Sequence, residues 1–183
     1  LLYMNRKLLV QIHMYLAAFF TPAVLFVAIS GGLYLAGIKG SVQQEVIYTS
    51  SEVIIDTHSD TLHADIDALL ALAGVNSYSF EYAKVKGTKV YTRPTSSTHY
   101  MIKTANSGVA VIHVKPSLQN AMIELHKGHG PSVFKTFQQA FAIGLIFIMV
   151  SGLWLGLSAA RLRRSVLLVA VAGASVFAML IML

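Results

Sequence analysis

The sequence predicts an α+β membrane protein, with three transmembrane helices and one small domain built from a helix and an antiparallel sheet. Three observations predict this class. Hydrophobic residues make up 55% of the 183 residues, and the mean hydropathy of +0.64 is too high for an ordinary soluble domain. Three long stretches carry no Asp, Glu, Lys or Arg. All eight acidic residues lie between Glu45 and Glu124, in the one long polar segment.

The first uncharged stretch runs from Leu8 to Gly37, and its only ionisable side chain apart from two tyrosines is His13. As a helix it would be about 45 Å long, enough to cross a hydrocarbon core of roughly 30 Å. It is about twice as long as the apolar core of a cleaved signal peptide. We therefore assign residues 1–38 to a short cytoplasmic start and transmembrane helix 1.

The polar segment, residues 39–131, is expected to fold as the soluble domain. Residues 60–73 place apolar side chains at helical spacing, and Gly74 suits the end of that helix. Alternating apolar residues and turn signals then predict four strands, at 77–85, 89–93, 100–104 and 109–114, with a turn at 106–108 before the last. One helix packed on an antiparallel sheet can bury a small core.

Two further apolar stretches follow the polar segment. We assign 132–160 to transmembrane helix 2, 161–165 to a basic loop, and 166–183 to transmembrane helix 3. Short loops rich in Lys and Arg stay on the cytoplasmic side. Arg6 and Lys7 before the first helix, with the arginines of the basic loop, therefore predict a cytoplasmic N-terminus, an external domain and an external C-terminus.

The net charge of +6 could suggest a nucleic-acid-binding protein. The cations adjoin apolar stretches and do not cluster on one soluble surface, so we expect membrane lipid and no nucleic acid as partner. The absence of cysteine excludes disulfides, Cys-ligated zinc and iron–sulfur clusters. No nucleophile–base pair, phosphate loop or dinucleotide fingerprint is visible, which argues against hydrolases and kinases.

Three short motifs accompany this order of elements. The first span ends in SGGLY at 30–34, the second is preceded by LHKGHGP at 125–131, and its inner part reads SGLWL at 151–155. With these motifs and the helix-then-hairpins domain between two spans, residues 5–160 resemble the PepSY-associated transmembrane (PepSY-TM) proteins of bacteria. The chain is similar to a short member with a single PepSY domain. The resemblance implies the bacterial inner membrane, with the soluble domain in the periplasm.

Larger members of that family look like haem-bearing reductases that move electrons across the membrane, often for ferric-siderophore uptake. The resemblance therefore implies transmembrane electron transfer with haem b and a link to iron uptake. As an enzyme, the chain would be at most a haem-dependent membrane reductase or a subunit of one. The competing hypothesis is a non-catalytic accessory subunit that docks on a larger membrane complex.

Three of the seven histidines, His13, His126 and His129, are the candidate cofactor ligands. Haem b held between helices needs two imidazoles at one depth, one on each face of the ring. His13 is expected near the cytoplasmic surface and the other two at the outer surface, about 25–30 Å away. One copy therefore lacks a ligand pair at either depth, and we expect a homodimer or a larger membrane protein complex to supply the second ligand.

Each of these histidines also has a plainer interpretation. A histidine at the rim of a span, such as His13, is more often an interfacial residue that forms a hydrogen bond with a neighbouring helix or a lipid headgroup than a ligand. His126 and His129 share a helical face if the second span begins early, and the glycines and the proline of 128–131 are equally consistent with a bent approach. The alternative to a cofactor or metal site at these two histidines is a polar membrane-entry motif. His58 and His63 are expected on a solvated face, with a zinc or copper site as the alternative.

Overall fold

The computed structural model describes residues 5–105 and 108–183. In these ranges the chain forms five helices and a five-stranded antiparallel sheet, which confirms the predicted α+β class. The elements in chain order are α1 (Arg6–Leu35), β1 (Val42–Ser50), α2 (Leu62–Leu72), β2 (Tyr82–Lys86), β3 (Lys89–Arg93), β4 (His99–Ala105), β5 (Gly108–Pro116), α3 (Leu118–His126), α4 (Ser132–Ser158) and α5 (Arg163–Ile181). Positions 106 and 107 of the turn predicted at 106–108 lie outside the described residues.

By length and composition, α1, α4 and α5 can each cross a membrane. They have 30, 27 and 19 residues, and the prediction of three such helices is confirmed. Most of their large apolar side chains are exposed, and α5 buries none of its residues. Such surfaces are stable against hydrocarbon and unfavourable in water, so the three helices indicate a membrane protein.

The chain divides into two compact units. The first, called here the helical unit, consists of Leu1–Val24 and Gln139–Leu183. Inside it the rings of Phe20 and Phe141 lie 5.5 Å apart between centroids. Phe20 also covers Gly144, where any side chain would collide with the ring. A small residue therefore lets α1 and α4 approach closely within this unit.

The second unit, Leu25–Gln138, is called here the sheet unit. Its strands lie in the order β1-β5-β4-β3-β2, and every neighbouring pair is antiparallel. Helix α2 covers one face of the sheet. The core there joins the inward side chains of α2 to alternate strand residues, namely Ile66, Leu69, Leu70, Val90, Ile102 and Val111. All six are at most 2% exposed.

Two elements were not predicted, and one strand is shorter than expected. Strand β1 is polar and largely exposed at the sheet edge, so its sequence lacks the apolar alternation that signals a strand. Helix α3 is short, and the residue before it, Ser117, is its N-cap, whose hydroxyl accepts the Asn120 N–H. The strand predicted at 77–85 is a strand only from Tyr82, because its first residues turn inward to the core as irregular backbone.

Within the sheet unit, hydrogen bonds join the segment after α1 to α3 and the segment before β2 to the start of α4. The Gln119 side chain on α3 donates to the Ile38 carbonyl, just after α1, at 2.6 Å. At the start of α4, the Glu81 carboxylate accepts the Ser132 N–H at 3.0 Å and acts as an N-terminal cap. These contacts position the segment that carries His126 and His129.

Candidate functional site

In the helical unit, His13 of α1 contacts Ser151 of α4, with Nδ1 and Oγ 2.8 Å apart. The Ser151 hydroxyl donates its one proton to the Ile148 carbonyl at 3.1 Å. In one His13 tautomer the serine would donate to Nδ1 instead; with the serine proton on the Ile148 carbonyl, the serine oxygen accepts from His13 and Nδ1 carries a proton. In a neutral imidazole this leaves a lone pair on Nε2, the nitrogen that can bind a metal or accept a proton.

The His13 ring rests on a glycine of the opposite helix. A Cβ atom at Gly152 would lie 3.1 Å from Cε1 of His13, closer than side chains normally tolerate. The absence of a side chain at this position thus makes room for the imidazole. Ser151 and Gly152 together hold the ring, one by a hydrogen bond and the other by its lack of bulk.

The same arrangement recurs in the sheet unit, at His126. Its Nδ1 lies 3.0 Å from the Ser30 hydroxyl, which donates to the Val27 carbonyl at 3.2 Å. A Cβ atom at Gly31 would lie 3.2 Å from Cε1 of His126. As at His13, placing the Ser30 proton on the Val27 carbonyl makes Nδ1 of His126 the donor and leaves the lone pair on Nε2.

Sequence reasoning found both histidines but missed their serine partners. The signal is a Ser-Gly dipeptide in each span, at 30–31 and 151–152. In the sequence these dipeptides were noted only as parts of the SGGLY and SGLWL motifs. Each serine forms its hydrogen bond with a histidine that is distant in the sequence. That contact depends on how the helices pack, which no local sequence pattern reveals.

His129 belongs to a cluster around the Glu124 carboxylate. The carboxylate accepts from His129 Nδ1 at 2.7 Å, from the Thr95 hydroxyl at 2.9 Å and from the Lys127 ammonium at 3.2 Å. The guanidinium of Arg93 is 4.0 Å away and donates to Thr95 at 2.7 Å. An ionised carboxylate can only accept, so Nδ1 of His129 is a donor; a neutral imidazole in this orientation has its lone pair on Nε2.

Two opposing effects act on the pKa of Glu124. Burial raises the pKa, but the hydrogen bonds from His129, Thr95 and Lys127 favour the ionised form and bring it below its ordinary value. Glu124 is therefore a carboxylate at neutral pH and holds His129 in a fixed orientation.

His126 and His129 do not share a helix. His126 ends α3, and His129 follows Gly128, whose φ of +75° is the left-handed conformation that ends the helix. Of the two geometries considered, the bent approach is therefore the one observed. Each imidazole has its own partner, Ser30 for His126 and Glu124 for His129.

Two of the remaining histidines, His63 and His99, have structural contacts. His63 stacks on Phe80 with ring centroids 4.1 Å apart and bonds Asp67 at 3.2 Å. His99 is buried, and burial lowers its pKa, against the opposing hydrogen bond to the Ser97 carbonyl. Within residues 5–105 and 108–183, no group of three or more His, Asp or Glu side chains could hold a metal ion.

The donor chemistry of His13, His126 and His129 fits axial haem ligation, because metal-binding histidines commonly donate their other ring N–H to a protein oxygen. In the described part of the chain, Nε2 of each has no hydrogen-bond partner. Each site presents one imidazole, so a second ligand would come from another chain. Comparisons with models of protein families, with curated proteins and with solved structures give no match to this chain.

Proposed function

We propose that the chain is a PepSY-TM-type subunit of the bacterial inner membrane that takes part in transmembrane electron transfer with haem b. One observation carries this proposal: all three candidate imidazoles place Nδ1 within hydrogen-bond distance of a protein oxygen, and among the described residues Nε2 of each has no hydrogen-bond partner. A histidine that served only to join two helices would need no such common arrangement. The packing of α2 on an antiparallel sheet supports the proposed PepSY likeness.

The residues of this chain have two roles in the proposal. His13 and either His126 or His129 would each supply one nitrogen to hold the haem iron, and Ser151, Ser30 and Glu124 would orient the rings. When bound, haem b supplies one-electron redox chemistry at its iron. A homodimer, or a larger complex, completes each ligand pair.

The proposed orientation has a cytoplasmic N-terminus, and the sheet domain lies in the periplasm. It rests on Arg6 and Lys7 before α1 and on the arginines between α4 and α5. The chain has no cysteine, so introduced cysteines can be labelled without background. We expect a membrane-impermeant maleimide to label Lys86→Cys in intact spheroplasts and Leu162→Cys only after lysis. The reverse pattern would refute the orientation.

A second candidate function is a non-catalytic accessory subunit. It is favoured by α5, which buries none of its residues and so offers a whole helix to a partner. It is also favoured by the single imidazole at each site. This candidate needs no cofactor.

A visible spectrum separates the two candidates. We expect the full chain, purified in detergent and supplied with haem, to show a reduced b-type band. His13→Ala and His126→Ala or His129→Ala should each lose part of it, whereas His58→Ala, which removes an exposed histidine, should lose none. A colourless wild-type protein that still copurifies with a membrane complex would reject electron transfer and support the accessory role.

The serines provide a finer test of ring orientation. Ser151→Ala and Ser30→Ala should retain the band but shift its midpoint potential, because the Nδ1 hydrogen bond tunes the basicity of the ligand. Ser175→Ala is the matched control, since Ser175 donates to the Val171 carbonyl in the same way on α5, where it has no histidine partner among the described residues. Unchanged potentials in all three variants would contradict a role for the serines as orienting residues.

A further inference from the structure

The face of the sheet opposite α2 carries a groove of about 540 Å³. Its floor is apolar: Met101 and Val114 are each 3% exposed, and Tyr91 packs beside them. Helix α3 forms one wall, with Asn120 and Glu124 lining the groove. The volume falls within the range of small-molecule sites, roughly 300–1,000 Å³.

A row of lysines crosses the sheet beside this floor. Lys86 of β2 lies directly opposite Lys89 of β3, and Lys89 lies opposite Lys103 of β4. Lys84, two residues before Lys86, shares the same face. Like charges placed directly opposite on neighbouring strands destabilise a sheet. At the usual strand spacing the two outer lysines of the row are about 10 Å apart.

No carboxylate compensates this row. Within residues 5–105 and 108–183, none of the four lysines has an acidic side chain within 4.0 Å. The groove is lined by six Lys or Arg side chains and by one acidic residue, Glu124, an excess of five positive charges. Glu124 is already engaged by Lys127, Thr95 and His129.

We propose that this groove binds an amphipathic organic anion of small-molecule size that carries at least two negative groups. The negative groups would lie along Lys86, Lys89 and Lys103, and the apolar body would rest on Met101 and Tyr91. A flat anionic lipid surface would reach the lysines but not the recessed floor. The ligand relieves the repulsion within the row, so its binding also stabilises the sheet. This site is separate from the histidines and goes beyond the proposed electron transfer.

The test uses the full chain in nanodiscs of zwitterionic lipid and two water-soluble probes. The first is 2,6-naphthalenedisulfonate, with a sulfonate at each end of an aromatic body, and the second is the monoanion 2-naphthalenesulfonate. Calorimetry should show tighter binding of the dianion and an affinity that falls as NaCl is raised. Equal affinities for the two probes would overturn the proposal.

Lys89→Thr removes the middle of the row, and Lys115→Thr is its matched control. Lys115 is an exposed strand lysine on β5 that does not line the groove. We expect Lys89→Thr to weaken binding of the dianion about tenfold, the size of one charge-assisted contact, and Lys115→Thr to leave it unchanged. Circular dichroism and thermal unfolding verify that both variants are folded.

Two results would refute the groove as the site. One is an equal loss of affinity in Lys89→Thr and Lys115→Thr, which would indicate general attraction to a basic protein. The other is the absence of dianion binding together with binding to vesicles that contain phosphatidylglycerol, lost in Lys89→Thr. That result would assign the row to a membrane surface. A Lys103→Thr variant that behaves like Lys89→Thr would support the site independently.

Discussion

The two faces of the sheet are made from alternate residues of the same strands, yet they differ in what covers them and in their charge. Val90 and Ile102 point toward α2 and are 0% exposed, whereas their neighbours Lys89 and Lys103 point the other way and are exposed. The covered face gains stability from apolar burial. The groove face retains unpaired positive charge that costs stability. A surface that lowers the stability of the fold, next to a well-packed face, is a reasonable place to look for a binding site.

The largest expected effect comes from the covered face. Ile102→Ala leaves a cavity in a fully buried site and should destabilise the sheet by about 2–5 kcal/mol. Lys103→Ala, the next residue on the opposite face, should change the stability by less than about 0.5 kcal/mol. Hydrogen exchange of the sheet amides, followed by mass spectrometry, measures both. Equal effects would show that the two faces do not differ as described.

The second largest change in stability is expected for Glu124, at the edge of the groove. Burial raises its pKa, but its hydrogen bonds outweigh burial and hold the pKa below the ordinary value. The carboxylate therefore stabilises the fold above its unfolded pKa, and this stability is lost as pH falls through the folded pKa. Glu124→Gln should cost about 1–3 kcal/mol at pH 7 and flatten the acid limb of a stability–pH curve. An unchanged acid limb would contradict the cluster.

A smaller effect is expected within the covered face. The buried Thr92 hydroxyl shares a hydrogen bond with the Tyr78 hydroxyl at 2.8 Å and accepts the Tyr100 N–H at 2.9 Å. Burial raises the pKa of Tyr78. Tyr78→Phe removes one buried hydrogen bond without changing shape and should cost about 1 kcal/mol. Thermal unfolding of Tyr78→Phe beside Tyr15→Phe, an exposed tyrosine of α1, measures it.

The smallest expected change in stability is a gain, and it comes from the lysine row. Without ligand, Lys89→Thr removes two like-charge contacts and should raise the stability by about 0.2–1 kcal/mol. The gain should shrink at high salt, because the repulsion is exposed and screened. Lys115→Thr provides the comparison in the same thermal unfolding experiment. A loss of stability in Lys89→Thr would show that the row is not repulsive.

Prediction from sequence succeeded where the signal is local. The apolar runs of α1, α4 and α5, the helical spacing of Ile66, Leu69 and Leu70, and strand β3 were all visible as patterns. Strand β1 was missed because VQQEVIYTS is a polar edge strand whose pairing partner, β5, lies about 65 residues later. The three histidines were found by residue type, but their partners were not.

By itself, the sequence determined that three segments are apolar enough to span a membrane, because transfer into hydrocarbon depends on the composition of a contiguous stretch. It also determined which strand residues alternate between the two faces of the sheet. Only the tertiary structure decided that Ser151 meets His13, that Ser30 meets His126, and that Lys86, Lys89 and Lys103 align across three strands. These contacts depend on strand register and helix packing, which are set by the sum of many interactions between residues distant in the chain.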